Sequence, residues 1–220
     1  MIIGEVLCTC CTNFAISRQQ RLVYNHHEQT YNMILPGCIA LQRTVITNLR
    51  SAKHQVQPCG IDLTLKRVLK WTSSGTIDFD NTQRQTSQTV EIPFEPSSTT
   101  IADKSAQQHN HPDTNIPSNT DLLHLSPGSY LIEFNERVAM PLDLMGQILV
   151  RSSLFRSGAL IHAGVMDSGY EGPVGAMLQV VNPSGLRVMR DAKMAQMVVH
   201  GMSESVGEGY RGVYAGREFV

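Results

Sequence analysis

The chain has 220 residues, 41% hydrophobic and 17% charged, with a formal net charge of −1. This is enough for one sizeable domain, or at most two small ones, of ordinary soluble composition. A charge so close to zero gives no global basic field for a nucleic-acid partner. No apolar run reaches the roughly 18 residues that a bilayer span requires, so no membrane partner is expected either.

The opening "MIIGEVLCTCCTNFA" carries no basic residue before its apolar part and does not read as a secretory signal. Cys8, Cys10, Cys11, Cys38 and Cys59 are odd in number, and three crowd one segment. That pattern argues against a disulfide framework and for a reducing, intracellular setting, cytoplasmic or nuclear. Residues 1–32 are polar and aperiodic and read as a flexible extension. Met33 opens "MILPGCIAL", the expected start of the folded domain, 33–202.

From Val56 the text turns β-like. "GIDLTLKRVLKW" alternates, with Ile61, Leu63 and Leu65 on one face, and "QTVEIPF" is a second short strand. Residues 95–121, rich in Ser, Thr, Asn, Gln, Pro and His, have almost nothing to bury and read as a disordered insertion. Six further strands follow: "GSYLIEFNERVAM", "MGQILVRS", "ALIHAGVMD", "VGAMLQVVN", "LRVMRD" and "AQMVVHGM". One short helix is expected between Ser152 and Gly158. Many short strands with little helix predict an all-β fold, a distorted β-barrel or jelly roll. Residues 203–220 return to glycine and charge and read as a C-terminal arm.

Three candidate sites fail on spacing. His26 and Glu28, with Pro58-Cys59, imitate a zinc deaminase signature, but Asp62 stands where the second cysteine belongs. "CTCC" has no partner pair. Ser152 or Ser153 with His162 lacks a nucleophile elbow.

Four stretches remain. "QPCGIDLTL", "LSPGSYLIEFNERVAMPLDLMGQILVRSSLFRSG", "HAGVMDSGYEG" and "LRVMRDAKMAQMVV" occur in this order. Together they resemble the motifs of the trimeric dUTPase and dCTP deaminase superfamily. The resemblance runs from about Met33 to the C-terminus. It implies a homotrimer that takes a nucleoside triphosphate, dUTP. It also implies Mg²⁺ held mainly on phosphate oxygens, with Asp62 touching the metal side through water.

By position, the resemblance makes Asp167 the carboxylate that activates water. Gly164 and Val165 belong to the backbone that reads the pyrimidine, and Tyr170 lies under the deoxyribose. Arg151, Ser152, Ser153 and Gln196 contact phosphate. An arginine fork and hydroxyl donors suit that anion. Arg156 also serves the site in the deaminase branch. In the arm, Tyr214 is placed to stack on the base, and Arg211 or Arg217 to reach phosphate.

The deaminase branch needs a glutamate about ten residues beyond the acid. Met177 stands there, with Gln179 nearby, and neither has a titratable oxygen. The expected activity is therefore dUTP diphosphatase, giving dUMP and pyrophosphate. The alternatives are a dCTP deaminase, alone or bifunctional, and a nucleotide-binding regulator with weak turnover. His162 has no account at this level.

Overall fold

The computed structural model describes residues 34–95 and 121–212, together with Tyr214, Gly216 and Glu218. The extension 1–32, nearly all of the insertion 95–121, and Arg217 lie outside the described residues. In chain order the elements begin with β1 (Ile34–Leu35), α1 (Gly37–Gln42), β2 (Ile46–Thr47), α2 (Ala52–Gln55) and β3 (Val56–Gln57). Then come β4 (Gly60–Trp71), β5 (Thr89–Ile92), β6 (Leu122–Leu125), β7 (Gly128–Ala139) and β8 (Leu144–Val150). The rest are α3 (Ser152–Arg156), β9 (Ala159–His162), β10 (Val165–Met166), β11 (Glu171–Val180), β12 (Leu186–Met189) and β13 (Lys193–Gly201).

The all-β expectation holds, and α3 lies where a helix was expected. Two more short helices, α1 and α2, correct the expectation of a single one. Their signals are weak for a physical reason. α1 opens on Gly37, a poor helix former, yet a Cβ there would sit 2.1 Å from the carbonyl oxygen of Gly60. Tertiary contact, not helix propensity, selects that residue.

Among the described residues, eleven strands form one antiparallel sheet that curls into a half-barrel, with the path β10-β8-β13-β4-β7-β11-β9. β6 and β12 pair separately. The chain enters and leaves the 96–120 stretch at one point, because Glu95 and Leu122 exchange both backbone hydrogen bonds, at 3.1 and 3.0 Å.

β4 changes partners along its length. Ile61 to Thr64 pair with β13, whereas Leu65 and residues from Arg67 onward pair with β7. Ile61, Leu63 and Leu65 enter the core with Ile132, Phe134, Leu178 and Met197. Simple alternation would put Asp62 and Thr64 in water, but both are buried. Where β4 parts from β7, the fully buried Glu136 fills the gap. Its carboxylate accepts from the Thr64 backbone N–H at 2.8 Å, the Thr64 hydroxyl at 2.6 Å and the Gln55 amide at 2.6 Å. Gln55 also donates to the Asp62 carbonyl at 2.9 Å. A carboxylate thus supplies the acceptors that a regular β7 ladder would have given.

Burial pushes the Glu136 carboxyl above its ordinary value, and the three donors oppose that push. A raised value means that the folded chain holds this proton more tightly than the unfolded one. The resulting stability is present below the ordinary glutamate range and is lost as pH rises through the raised value. In urea unfolding, the stability difference between wild type and Glu136→Gln should therefore shrink as pH rises from about 4 to about 7. A difference that grows over that interval would contradict the assignment.

Candidate active site

The turn from Asp167 to Tyr170 is held on both sides. The Tyr170 N–H donates to the Asp167 carbonyl at 3.1 Å and closes the turn. Gly169 donates to the Met140 carbonyl at 2.9 Å, and Met140 donates back to the Tyr170 carbonyl at 2.8 Å. The buried Ser168 hydroxyl donates to Leu144 at 2.6 Å. Gly169 has φ +78°, a conformation that a side chain would strain. A rigid turn of this kind aims the exposed Asp167 carboxylate without giving it any structural duty.

Asp167 borders an open cavity of about 260 Å³, a little below the usual range of roughly 300–1,000 Å³ for small-molecule sites. Gly164, Val165 and Met166 form one wall, and Tyr170, Tyr210 and Tyr214 form another. Asp167 is the one carboxylate among the described lining residues. Tyr170 is buried and donates its hydroxyl to the Pro173 carbonyl at 2.6 Å. Burial raises its phenol above the ordinary value, so it stays a neutral donor. Tyr210 meets it edge to face, with centroids 5.5 Å apart. A Cβ on Gly164 would meet nothing within 4 Å. The chain's own packing does not demand glycine at that position.

The arm docks on its own hairpin. Tyr210 N–H donates to the Ser168 carbonyl at 2.8 Å, and Gly216 N–H to the Glu171 carbonyl at 3.0 Å. Of the arm residues expected at the site, Tyr214 reaches the cavity. Arg211 does not line it and instead pairs with Glu208 at 3.2 Å.

A second cluster gathers around the buried Asp62. Its carboxylate pairs with Arg151 Nε at 3.2 Å and Lys193 Nζ at 3.1 Å, and it accepts from Gln57 at 3.1 Å. Arg151 also donates to the Lys193 carbonyl at 3.0 Å. Gln196 lies opposite Asp62 across the β13–β4 ladder, on the same face. Ser152 and Ser153 are exposed at the start of α3. Arg156, exposed at its end, lies over the Phe155 ring at 5.9 Å.

Within one chain these two groups are far apart. β10 runs antiparallel to β8, with Val165 opposite Gln147 and Met166 opposite Gly146. Asp167 therefore falls level with Met145, six residues before Arg151, a separation of roughly 20 Å along the strand. The structure gathers Gly164, Val165, Asp167, Tyr170 and Tyr214 around one cavity beside β8, with Asp167 level with its Leu144 end. It gathers Asp62, Arg151, Ser152, Ser153 and Gln196 at the Val150 end.

His162 now has a partner. Its Nε2 lies 3.0 Å from the Gln179 side-chain oxygen, and it sits opposite Met177 on the β9–β11 ladder. The sequence argument missed Tyr210, Lys193 and Gln57. Tyr210 stands four residues before Tyr214, and that pairing was the available signal. Lys193 and Gln57 lie inside two of the resembling stretches, and that position was their signal.

A family profile described as dCTP deaminase-like matches residues 34–202. The "Probable deoxyuridine 5'-triphosphate nucleotidohydrolase" of Methanosarcina acetivorans is 32% identical over 170 residues, covering 77% of this chain and 86% of that protein. The "Deoxyuridine 5'-triphosphate nucleotidohydrolase" of Methanocaldococcus jannaschii is 30% identical over 165 residues, covering 75% and 90%. Among solved structures, the 2'-deoxycytidine 5'-triphosphate deaminase of Agrobacterium tumefaciens superimposes with a TM-score of 0.51 at 15% identity, which speaks for the fold alone. That likeness covers 77% of this chain and about half, 48%, of the deaminase chain. The profile match and the archaeal relatives agree with the geometry: this chain belongs to the dCTP deaminase-like family.

Proposed function

We propose that this protein is a dUTP diphosphatase, hydrolysing dUTP to dUMP and pyrophosphate. The observation that carries the reading is Asp167: the one carboxylate among the described residues of a cavity walled by aromatic rings, on a turn fixed from both sides. Asp167 takes a proton from water as the water oxygen attacks the α-phosphorus. The bond from that phosphorus to the bridging oxygen breaks, and pyrophosphate leaves. Tyr170 presents a flat ring to the deoxyribose, where a 2′-hydroxyl would crowd it. Gly164 leaves room for the pyrimidine edge to approach the backbone.

Arg151, with the Ser152 and Ser153 hydroxyls and Gln196, suits the triphosphate. Asp62 holds the Arg151 guanidinium by its Nε and the Lys193 carbonyl takes one Nη1 hydrogen, leaving the Nη2 edge of the fork for phosphate. Arg156 is close by in sequence but has no assigned contact. Among the described residues no three His, Cys, Asp or Glu side chains converge, and both Asp62 oxygens are engaged. The residues therefore fit a Mg²⁺ carried in on the nucleotide, which would neutralise phosphate charge. A water-mediated contact from Asp62 would share an oxygen already bonded.

The roughly 20 Å between Asp167 and Arg151 exceeds what the phosphates of one nucleotide can bridge. A complete site therefore combines the Asp167 end of one copy with the Arg151 end of another, which supports a homotrimer with sites between subunits. A nucleotide substrate also places the protein in the intracellular pool. The second reading, dCTP deamination, is favoured by the family description. It lacks a second carboxylate, because Met177 and Gln179 stand on the strand where the deaminase branch has one.

Asp167→Asn keeps the shape and removes the base. Turnover of dUTP should fall by roughly two or more orders of magnitude, with nucleotide affinity little changed. Wild-type turnover in that variant, or efficient ammonia release from dCTP by the unmodified protein, would overturn the reading. Nucleotide binding without either product would instead point to a regulator.

Gly164→Ala should leave the unfolding midpoint unchanged, because its Cβ meets nothing in the chain, but should raise KM for dUTP. An unchanged KM would remove Gly164 from the site.

Complementation tests the shared site. Asp167→Asn and Arg151→Ala are each expected to be inactive alone. Mixed trimers of the two should regain about a quarter of wild-type activity, because random assembly leaves that fraction of sites with both halves intact. No recovery from verified mixed trimers would place each site within a single chain.

A further inference from the structure

Between β4 and β5 the chain makes an excursion, residues 72–88, that none of the site motifs includes. Its base is closed by a bridge in which Thr76 donates to Gln85 at 2.9 Å and Gln85 donates back at 3.0 Å. The tip is ordered by acids: Asp78 accepts from the Gln83 N–H at 2.6 Å, and Asp80 accepts from the Thr82 N–H at 3.1 Å. Arg84 stands immediately before the bridge, on a fixed part of this hairpin, and is partly buried.

Arg84 is directed at the arm. Its guanidinium lies over the Tyr214 ring, 4.9 Å from the centroid, and its terminal nitrogen donates to the Tyr214 hydroxyl. Tyr214 is thus gripped on its face and at its polar end, while its ring forms part of the cavity wall. The neighbouring arm contacts, Tyr210 to Ser168 and Gly216 to Glu171, supply one backbone bond each, and the Arg84–Tyr214 contact between them adds a side-chain hold on the same stretch of arm.

We infer that Arg84 is a positioning residue for nucleotide binding: it fixes Tyr214 as the wall that covers the pyrimidine base. This rests on the reading that the cavity takes dUTP. Arg84 touches no reacting atom in this account. It acts through Tyr214, and its effect belongs to ground-state binding and not to the chemical step. A guanidinium over an aromatic face gives modest attraction, strengthened by a hydroxyl that accepts from the same group. Lysine would keep the charge and lose the planar fork.

Steady-state kinetics and limited proteolysis test this together. Arg84→Ala should raise KM for dUTP about ten-fold with kcat within about two-fold of wild type, and with an unchanged unfolding midpoint. Tyr214→Ala should give a similar rise. The double variant should be no worse than Tyr214→Ala, because the two residues act as one unit. Arg84→Lys should fall between wild type and Arg84→Ala.

Without nucleotide, trypsin should cut after Arg211 about five-fold faster in Arg84→Ala than in wild type. Gly169→Ala should do the same by another route, since its Cβ would lie 2.4 Å from Gly209 Cα and push the arm away. A wild-type KM in Arg84→Ala, full additivity in the double variant, or unchanged cleavage would each overturn the inference. If the wild type itself does not hydrolyse dUTP, the reading of the cavity fails. The proteolysis result still decides whether Arg84 holds the arm.

Discussion

One buried carboxylate governs how the sheet is put together. Glu136 sits where β4 leaves β7 for β13, and it satisfies a backbone N–H that no strand partner reaches. An unpaired buried donor costs about 1–3 kcal/mol, so a strand can split between two neighbours only if something fills the gap. The same carboxylate accepts from Gln55, which in turn donates to the Asp62 carbonyl. Asp62 then holds Arg151 and Lys193. The split in the sheet and the orientation of the cationic cluster are therefore parts of one hydrogen-bonded chain running from core to surface.

The cavity end of the molecule is built differently. Its rigidity comes from backbone bonds across Met140 and from the passage of two glycines, Gly169 and Gly209, at a separation no side chain would allow. The Asp167 backbone closes the turn, but no hydrogen bond among the described residues engages its carboxylate, which is left to serve a ligand. At the opposite end Asp62 is both buried and paired. The two acids differ in duty because one lies inside the sheet and the other projects from its rim.

Much of this was legible in the text of the sequence. The alternation in "GIDLTLKRVLKW" marks β4 from end to end, and the hairpin acid with its tyrosine marks the cavity. The two-residue strands β1, β2 and β3 were hidden, because a pattern of period two needs more than two residues to be seen, and the single strand expected over "ALIHAGVMD" is in fact two, β9 on β11 and β10 on β8. The burial of Asp62 and Thr64 was hidden for another reason. Alternation tells which residues share a face, but what covers that face comes from α2 and from Glu136, distant in sequence. Arg84 was hidden too: it lies in a polar excursion that reads as ordinary loop, and only the folded arm brings Tyr214 to it. His162 gained its partner only when β9 paired with β11.

The paired backbone bonds between Glu95 and Leu122 have a consequence for how the protein can be altered. Two ends already joined by the fold make the path between them nearly independent of its length, since closing a loop of twice the length costs only about 0.6 kcal/mol more. The bridge lies beside β5 and β6. It forms a natural port, where a reporter domain or an affinity tag would enter the middle of the chain between ends that the fold already holds together.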